Sequence, residues 1–110
     1  MLAEPIPSYD RLLSLLAVPL LREVMEKLLD GPVTQRDLRS RLGYSSSALS
    51  RGMRQLEDAG IVSRDRSHAP YELTYPYETR ALLAAAAEMS SRVLRARADV
   101  DAAHAVELAG

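Results

Sequence analysis

The stretch Thr34–Val62, TQRDLRSRLGYSSSALSRGMRQLEDAGIV, holds the strongest local signals in the chain. Leu38 and Leu42 stand four apart, so a helix through this part keeps both on one side. Thr34 followed by Asp37 has the spacing of a capping box, with Asp in place of the usual Glu or Gln. Gly43 supplies the left-handed residue that ends this helix. Ser45 caps the next one, which runs to about Ala59 and stops at Gly60. On a helical wheel Leu49, Met53 and Leu56 fall together and face a core. Opposite them lie Ser47, Arg51, Arg54 and Asp58, with Ser50 and Gln55 on the flanks. Two short amphipathic helices joined by a glycine turn, the second with a small polar face, form a helix-turn-helix over 34–59 suited to the major groove of DNA.

The residue types on that face fit the chemistry of base edges and phosphates. An arginine can place two hydrogen bonds on guanine O6 and N7, and serine or glutamine can reach base edges or backbone. The run Ser45-Ser46-Ser47 adds hydroxyls and free backbone N–H groups at the positive end of a helix, where anions are favoured. Serines are also ordinary caps and arginines ordinary solvated residues. Capping accounts for Ser45 but not for a whole exposed face of this kind. The candidate DNA contacts are therefore Thr34, Ser45, Ser46, Ser47, Ser50, Arg51, Arg54 and Gln55. Gly52, costing roughly 1 kcal/mol inside a helix, either permits close approach of the preceding helix or is merely tolerated.

Downstream, Ile61–Arg64 and Tyr71–Thr74 are short strand candidates separated by Asp65–Pro70. A hairpin directly after the second helix of a helix-turn-helix is a wing, here over 61–74. Arg64, Arg66 and His68 flank or occupy its tip, where a wing meets the phosphate backbone or the minor groove, a place that favours arginine. The ordinary alternative is a charged loop. Tyr44, in the turn, is read as packing over the helix junction rather than as a phosphate donor. Pro76 opens a long helix from about Tyr77 to Arg97, extending toward 108.

Upstream, residues 1–7 contain two prolines and read as a disordered tail. Ser8 or Asp10 can cap a first helix reaching about Ala17, and Pro19 fits the first turn of a second. Leu20, Leu21, Val24, Met25, Leu28 and Leu29 recur at helical spacing until Asp30-Gly31-Pro32 stops it. The fold class is mostly α with a small β-hairpin, in the order α-α-α-α-β-β-α, as one domain over 8–110.

Net charge is −1 over 110 residues, yet it is unevenly spread. Residues 35–66 hold seven arginines against four acids, net +3, and the flanking segments are each net −2. Positive charge thus gathers where phosphate contact is expected. The chain has no cysteine, which excludes disulfides and thiolate metal sites. It shows no apolar run long enough to span a bilayer and no basic-then-apolar leader, so no membrane association and a cytoplasmic location are expected.

The long last helix carries two apolar rows: Leu82, Ala86, Met89, Val93 and Val100, and beside them Leu83, Ala87 and Leu94. One row can cover the domain's own core. The other, and the leucine-rich first helix, call for a partner, most economically a second copy. The candidate dimer interface is Leu12, Leu13, Leu16, Leu83, Ala87 and Leu94. A single wide stripe packed within a monomer is the competing reading.

Residues 11–97 resemble the ArsR-type winged-helix repressors of prokaryotes, with the MarR-like group as neighbour. The likeness rests on PLLREVMEKLLDGPVTQRDLRSRLGYSSSALSRGMRQLEDAGIV and on YELT before the long helix. It implies a dimeric DNA-binding repressor, with Ser46, Ser47, Ser50, Arg51 and Arg54 at recognition-helix contact positions and the first and last helices at the dimer interface. Metal-sensing members often carry a cysteine pair before the recognition helix, where this chain has TQRDLRSRL. His104, Glu107, Asp99 and Asp101 make a weak ligand set, so neither metal nor cofactor is expected. Tyr71, Tyr75 and Tyr77 cluster between wing and last helix, where an effector of unknown chemistry could sit, although such tyrosines more often form core. No nucleophile–base pair, P-loop or dinucleotide fingerprint points to an enzyme. The other reading is a winged-helix module that docks proteins through its leucine-rich ends and does not touch DNA.

Overall fold

A computed structural model describes residues 9–109 of the chain. Its elements are α1 (Tyr9–Leu16), α2 (Pro19–Leu28), α3 (Gln35–Leu42), α4 (Ser46–Asp58), β1 (Val62–Ser63), β2 (Glu72–Leu73) and α5 (Pro76–Ala109). This is the order expected from the sequence. The tail over 1–7 and a cap at Ser8 lie outside the described residues, and Asp10 sits in the first turn of α1 rather than ahead of it.

The local signals act where the residue types require. Pro19 occupies the first turn of α2, where its missing N–H costs nothing. The carbonyl of Leu16, at the end of α1, accepts from the Arg22 guanidinium at 2.9 Å, so one helix end is satisfied by the next helix. Thr34 Oγ1 accepts from the Asp37 N–H at 3.2 Å, and Gly43 ends α3 at φ 75°. Ser45 Oγ accepts from the Ala48 N–H at 3.2 Å and opens α4.

The strands are shorter than the four-residue runs expected. Val62 pairs with Leu73 and Ser63 with Glu72, antiparallel. Tyr71 lies outside this ladder and bridges on its other edge to Val33, just ahead of α3. The Tyr71 N–H donates to the Val33 carbonyl at 2.9 Å, and the Val33 N–H donates back at 3.0 Å. The wing is thereby tied to the entry of the helix-turn-helix.

The core lies between α2, α3, α4 and the inner face of the hairpin. Leu21, Val24, Met25 and Leu28 meet Leu38, Leu49, Met53 and Leu56, with Val62, Tyr71 and Leu73 closing one end. Leu42, expected beside Leu38, is only half-buried. Gly52 is a true close approach: a Cβ there would stand 2.6 Å from Leu20 Cδ2 and 3.1 Å from Leu21 Cδ2. The helix that comes close is α2, which packs across α4 in the core, and not the preceding helix α3 as expected.

Contacts divide the chain into two units, Met1–Thr79 and Arg80–Gly110, with the boundary inside α5. The second unit is a single helix, and from Ala84 to Glu107 every side chain on it is exposed. Its helicity follows from the Ala84–Ala87 run and from good helix formers, with Glu88 and Arg92 paired at i,i+4 by 2.9 Å.

Candidate nucleic-acid interface

α4 presents its two faces as its sequence dictates. Leu49, Met53 and Leu56 are fully buried, which holds the helix in one rotational setting. That setting turns Ser46, Ser47, Ser50, Arg51, Arg54, Gln55 and Asp58 to solvent over a helix about 20 Å long. Ser45 is exposed as well, its hydroxyl engaged as the cap.

The two helices of the motif are also joined on the solvent side. Gln35 Nε2 donates to Ser50 Oγ at 2.8 Å, fixing the serine while leaving its own proton free to donate outward. Tyr44 does not face that side: its hydroxyl donates to the Glu23 carboxylate of α2. That hydrogen bond to Glu23, with some burial and the carboxylate's charge, raises the phenol above its ordinary value of 10.0. The expectation of packing over the helix junction is met with a polar anchor.

Between the start of α3, the start of α4 and the wing lies a cleft of about 560 Å³. Thr34, Gln35, Arg36 and Arg39 line it from α3 and its cap, Ser46 from α4, and Arg64, Ser67 and His68 from the wing. Three arginines and a histidine thus surround one concavity with no carboxylate among its lining residues. Such a grouping, beside the N–H groups that open two helices, is chemically fitted to a phosphate anion.

Of the site residues expected from sequence, the cleft gathers Thr34, Ser46, Arg64 and His68. Ser47, Ser50, Arg51, Arg54 and Gln55 form the exposed face of α4, and Arg66 stands exposed at the wing tip. The cleft adds Gln35, Arg36, Arg39 and Ser67, which sequence reasoning missed. The spacing of Arg36 and Arg39 at i,i+3, on one side of α3, was the available signal. What the sequence lacked was the fold-back of the wing onto that side.

The wing tip has a defined conformation. The Ala69 N–H closes on the Arg66 carbonyl at 3.1 Å, and His68 adopts φ 67°, a left-handed conformation in which histidine is one of the more tolerant residues. Arg64 lies over the ring of Tyr71, its guanidinium carbon 4.5 Å from the ring centroid. Tyr71 Oη donates to Glu57 Oε1 at 3.1 Å. Burial, then the charge of Glu57, raises the Tyr71 phenol above 10.0.

Of the three tyrosines, for which core was the commoner reading and an effector site the other, one is core. Tyr71 is core at 1% exposure, whereas Tyr75 and Tyr77 point to solvent at 57% and 80%. Among the described residues no three histidine, aspartate or glutamate side chains gather to hold a metal ion. Of the residues assigned to a dimer interface, Leu12, Leu16 and Leu83 are half-buried and Leu13, Ala87 and Leu94 exposed. No helix among the described residues is long and apolar enough to cross a membrane.

A helix-turn-helix with a polar second helix, followed at once by a hairpin that packs back on it, defines a winged helix-turn-helix protein. Residues 13–69 match the family model described as MarR family, and the chain belongs to that family of DNA-binding transcription regulators. The family shown is thus the group named above as neighbour, and not the ArsR type in particular. Among solved structures, the chain is similar to the crystal structure of Rv0081 from M. tuberculosis, with 31% identity and a TM-score of 0.71 over 80% of this chain and 90% of that one. It is also similar to HlyU from Vibrio cholerae N16961, with 29% identity and a TM-score of 0.60 over 71% and 86%. No curated protein matches the sequence.

Proposed function

We propose that this regulator is a dimeric, cytoplasmic repressor of the ArsR-type arrangement that blocks a promoter by sequence-specific binding, with no catalytic activity, cofactor or metal. α4 with its cap, over 45–59, reads base edges in the major groove, chiefly through Arg51 and Arg54. Ser45, Ser46, Ser47, Ser50 and Gln55 supply backbone or base contacts beside them. The wing, through Arg64, Arg66 and His68, takes the backbone or the minor groove. The observation that carries this reading is the cationic cleft, which begins at Ser46, where the reading helix opens, and ends on the wing. A DNA strand passing from the groove under α4 toward the wing meets Thr34, Arg36 and Arg39 on its way.

The dimer rests on exposed apolar side chains that a lone chain leaves in water. Leu13 is 47% exposed on α1, and Met89, Val93 and Leu94 are more so on α5. Two copies related by a two-fold axis bury such rows and present two reading helices to half-sites about one helical turn apart.

Selection of bound fragments from genomic DNA yields a cognate site, on which Arg51→Ala and Arg54→Ala are measured against the parent chain. Each is expected to weaken binding by roughly 1–3 kcal/mol where its side chain reads a base, with the melting temperature unchanged. Unaltered affinity for both variants removes α4 as the reading face. Absence of any duplex binding at low salt returns the protein-docking module as the better account.

A further inference from the structure

Tyr71 is joined to the elements whose residues line the cleft, and directly to one lining residue, Arg64. Its backbone pairs with Val33, which precedes the Thr34 cap of α3. Its hydroxyl reaches Glu57 on α4, and its ring carries the Arg64 guanidinium of the wing. The side chain is 1% exposed and among the largest fully buried ones in the molecule. An arginine side chain in water loses considerable rotamer freedom when it grips a phosphate. One already laid on an aromatic face has given up part of that freedom in advance, while its N–H groups stay available at the ring's edge. The ring itself cannot drift, because the core encloses it and the strand-like pairing with Val33 holds its backbone.

We propose that Tyr71 is a positioning residue for DNA binding: its ring fixes the Arg64 guanidinium in the cleft, so that the wing meets a backbone phosphate with a preset cation. This rests on the DNA reading above and assigns a role to a buried residue that has no surface of its own to offer DNA.

The test follows binding of the full chain to a short mixed-sequence duplex across a salt series. Arg64→Ala is expected to make the slope of log affinity against log salt shallower by about 0.9 per protomer. Tyr71→Leu is expected to reproduce that loss, to add nothing when combined with Arg64→Ala, and Tyr71→Phe to keep the parent slope. Tyr71→Leu with a parent-like slope, or with a full further effect in the Arg64→Ala background, overturns the proposal. Should Tyr71→Leu fail to fold, the parent chain alone decides the matter by NMR. Side-chain protons of Arg64 above the ring are shifted upfield, and that shift is expected to persist when duplex is added; its disappearance in the complex refutes the positioning role. A parent chain that binds no duplex removes the DNA reading and this inference together, whereas a parent that binds with Tyr71→Leu unaffected removes only the inference.

Discussion

The cleft gives the most quantitative prediction, because each phosphate neutralised by an arginine releases counterions and adds about −0.9 to the slope of log affinity against log salt. Arg36, Arg39 and Arg64 line the cleft together. If each meets one phosphate, a dimer with two clefts owes them a slope of about −5.4, equivalent to an affinity loss of about 2,000-fold for a fourfold rise in salt. Arg36→Ala removes one contact from each cleft and makes the slope shallower by about 1.8, so the parent loses about 12-fold more than the variant over the same salt range. Other phosphate contacts enter both proteins equally and leave this difference intact. Arg36 is exposed and its removal opens no cavity, so thermal stability should hold. Fluorescence anisotropy with a labelled mixed-sequence duplex reads the slope directly. The change should be the same on cognate and mixed sequences, since a phosphate contact carries no sequence information. Equal slopes for parent, Arg36→Ala and Arg39→Ala would falsify the phosphate seat, whatever the absolute affinities.

Other consequences follow for stability. Thr34→Ala and Ser45→Ala each remove a side-chain acceptor from a helix N–H and should cost about 1 kcal/mol by urea denaturation, with Thr34→Ser and Ser45→Thr close to the parent. Gly52→Ala gains about 1 kcal/mol of helix propensity but forces Leu20 and Leu21 aside. In a Leu20→Ala background the nearer clash is gone, so the same substitution should become more favourable by about 1 kcal/mol or more; strict additivity of the two changes would contradict the close approach of α2 to α4. Stability should also decline at alkaline pH. The raised Tyr71 phenol keeps its proton in the folded chain at pH values where the unfolded chain has lost it, so its contribution is intact below 10.0 and fades as pH rises through the higher folded value. Tyr71→Phe should flatten that decline, and an unchanged alkaline loss in the variant would show that other groups cause it.

The helical part of the fold is legible residue by residue. Thr34, Gly43, Ser45 and Pro19 act through bonds and dihedrals confined to their own turns, so their positions alone specify where α2, α3 and α4 begin or end. Leu49, Met53 and Leu56 likewise determine which face of α4 is buried, and hence that Arg51 and Arg54 look outward. The bridge between Tyr71 and Val33 was not legible, because a backbone pairing between distant parts of the chain depends on where Val33 lies in space. For the same reason Tyr71, Tyr75 and Tyr77 looked alike in sequence although only the first is buried.

A helix-turn-helix with a polar, arginine-bearing second helix and a hairpin after it can be read from the chain alone, since caps, glycine stops and 3.6-residue periodicity are all local. That Arg36 and Arg39 face the same cleft as Arg64 and His68, and that a buried tyrosine joins their supports, emerges only on folding. Those side chains are brought together by the folding of the wing against α3 and α4, a long-range packing event for which no spacing along the chain is a signal.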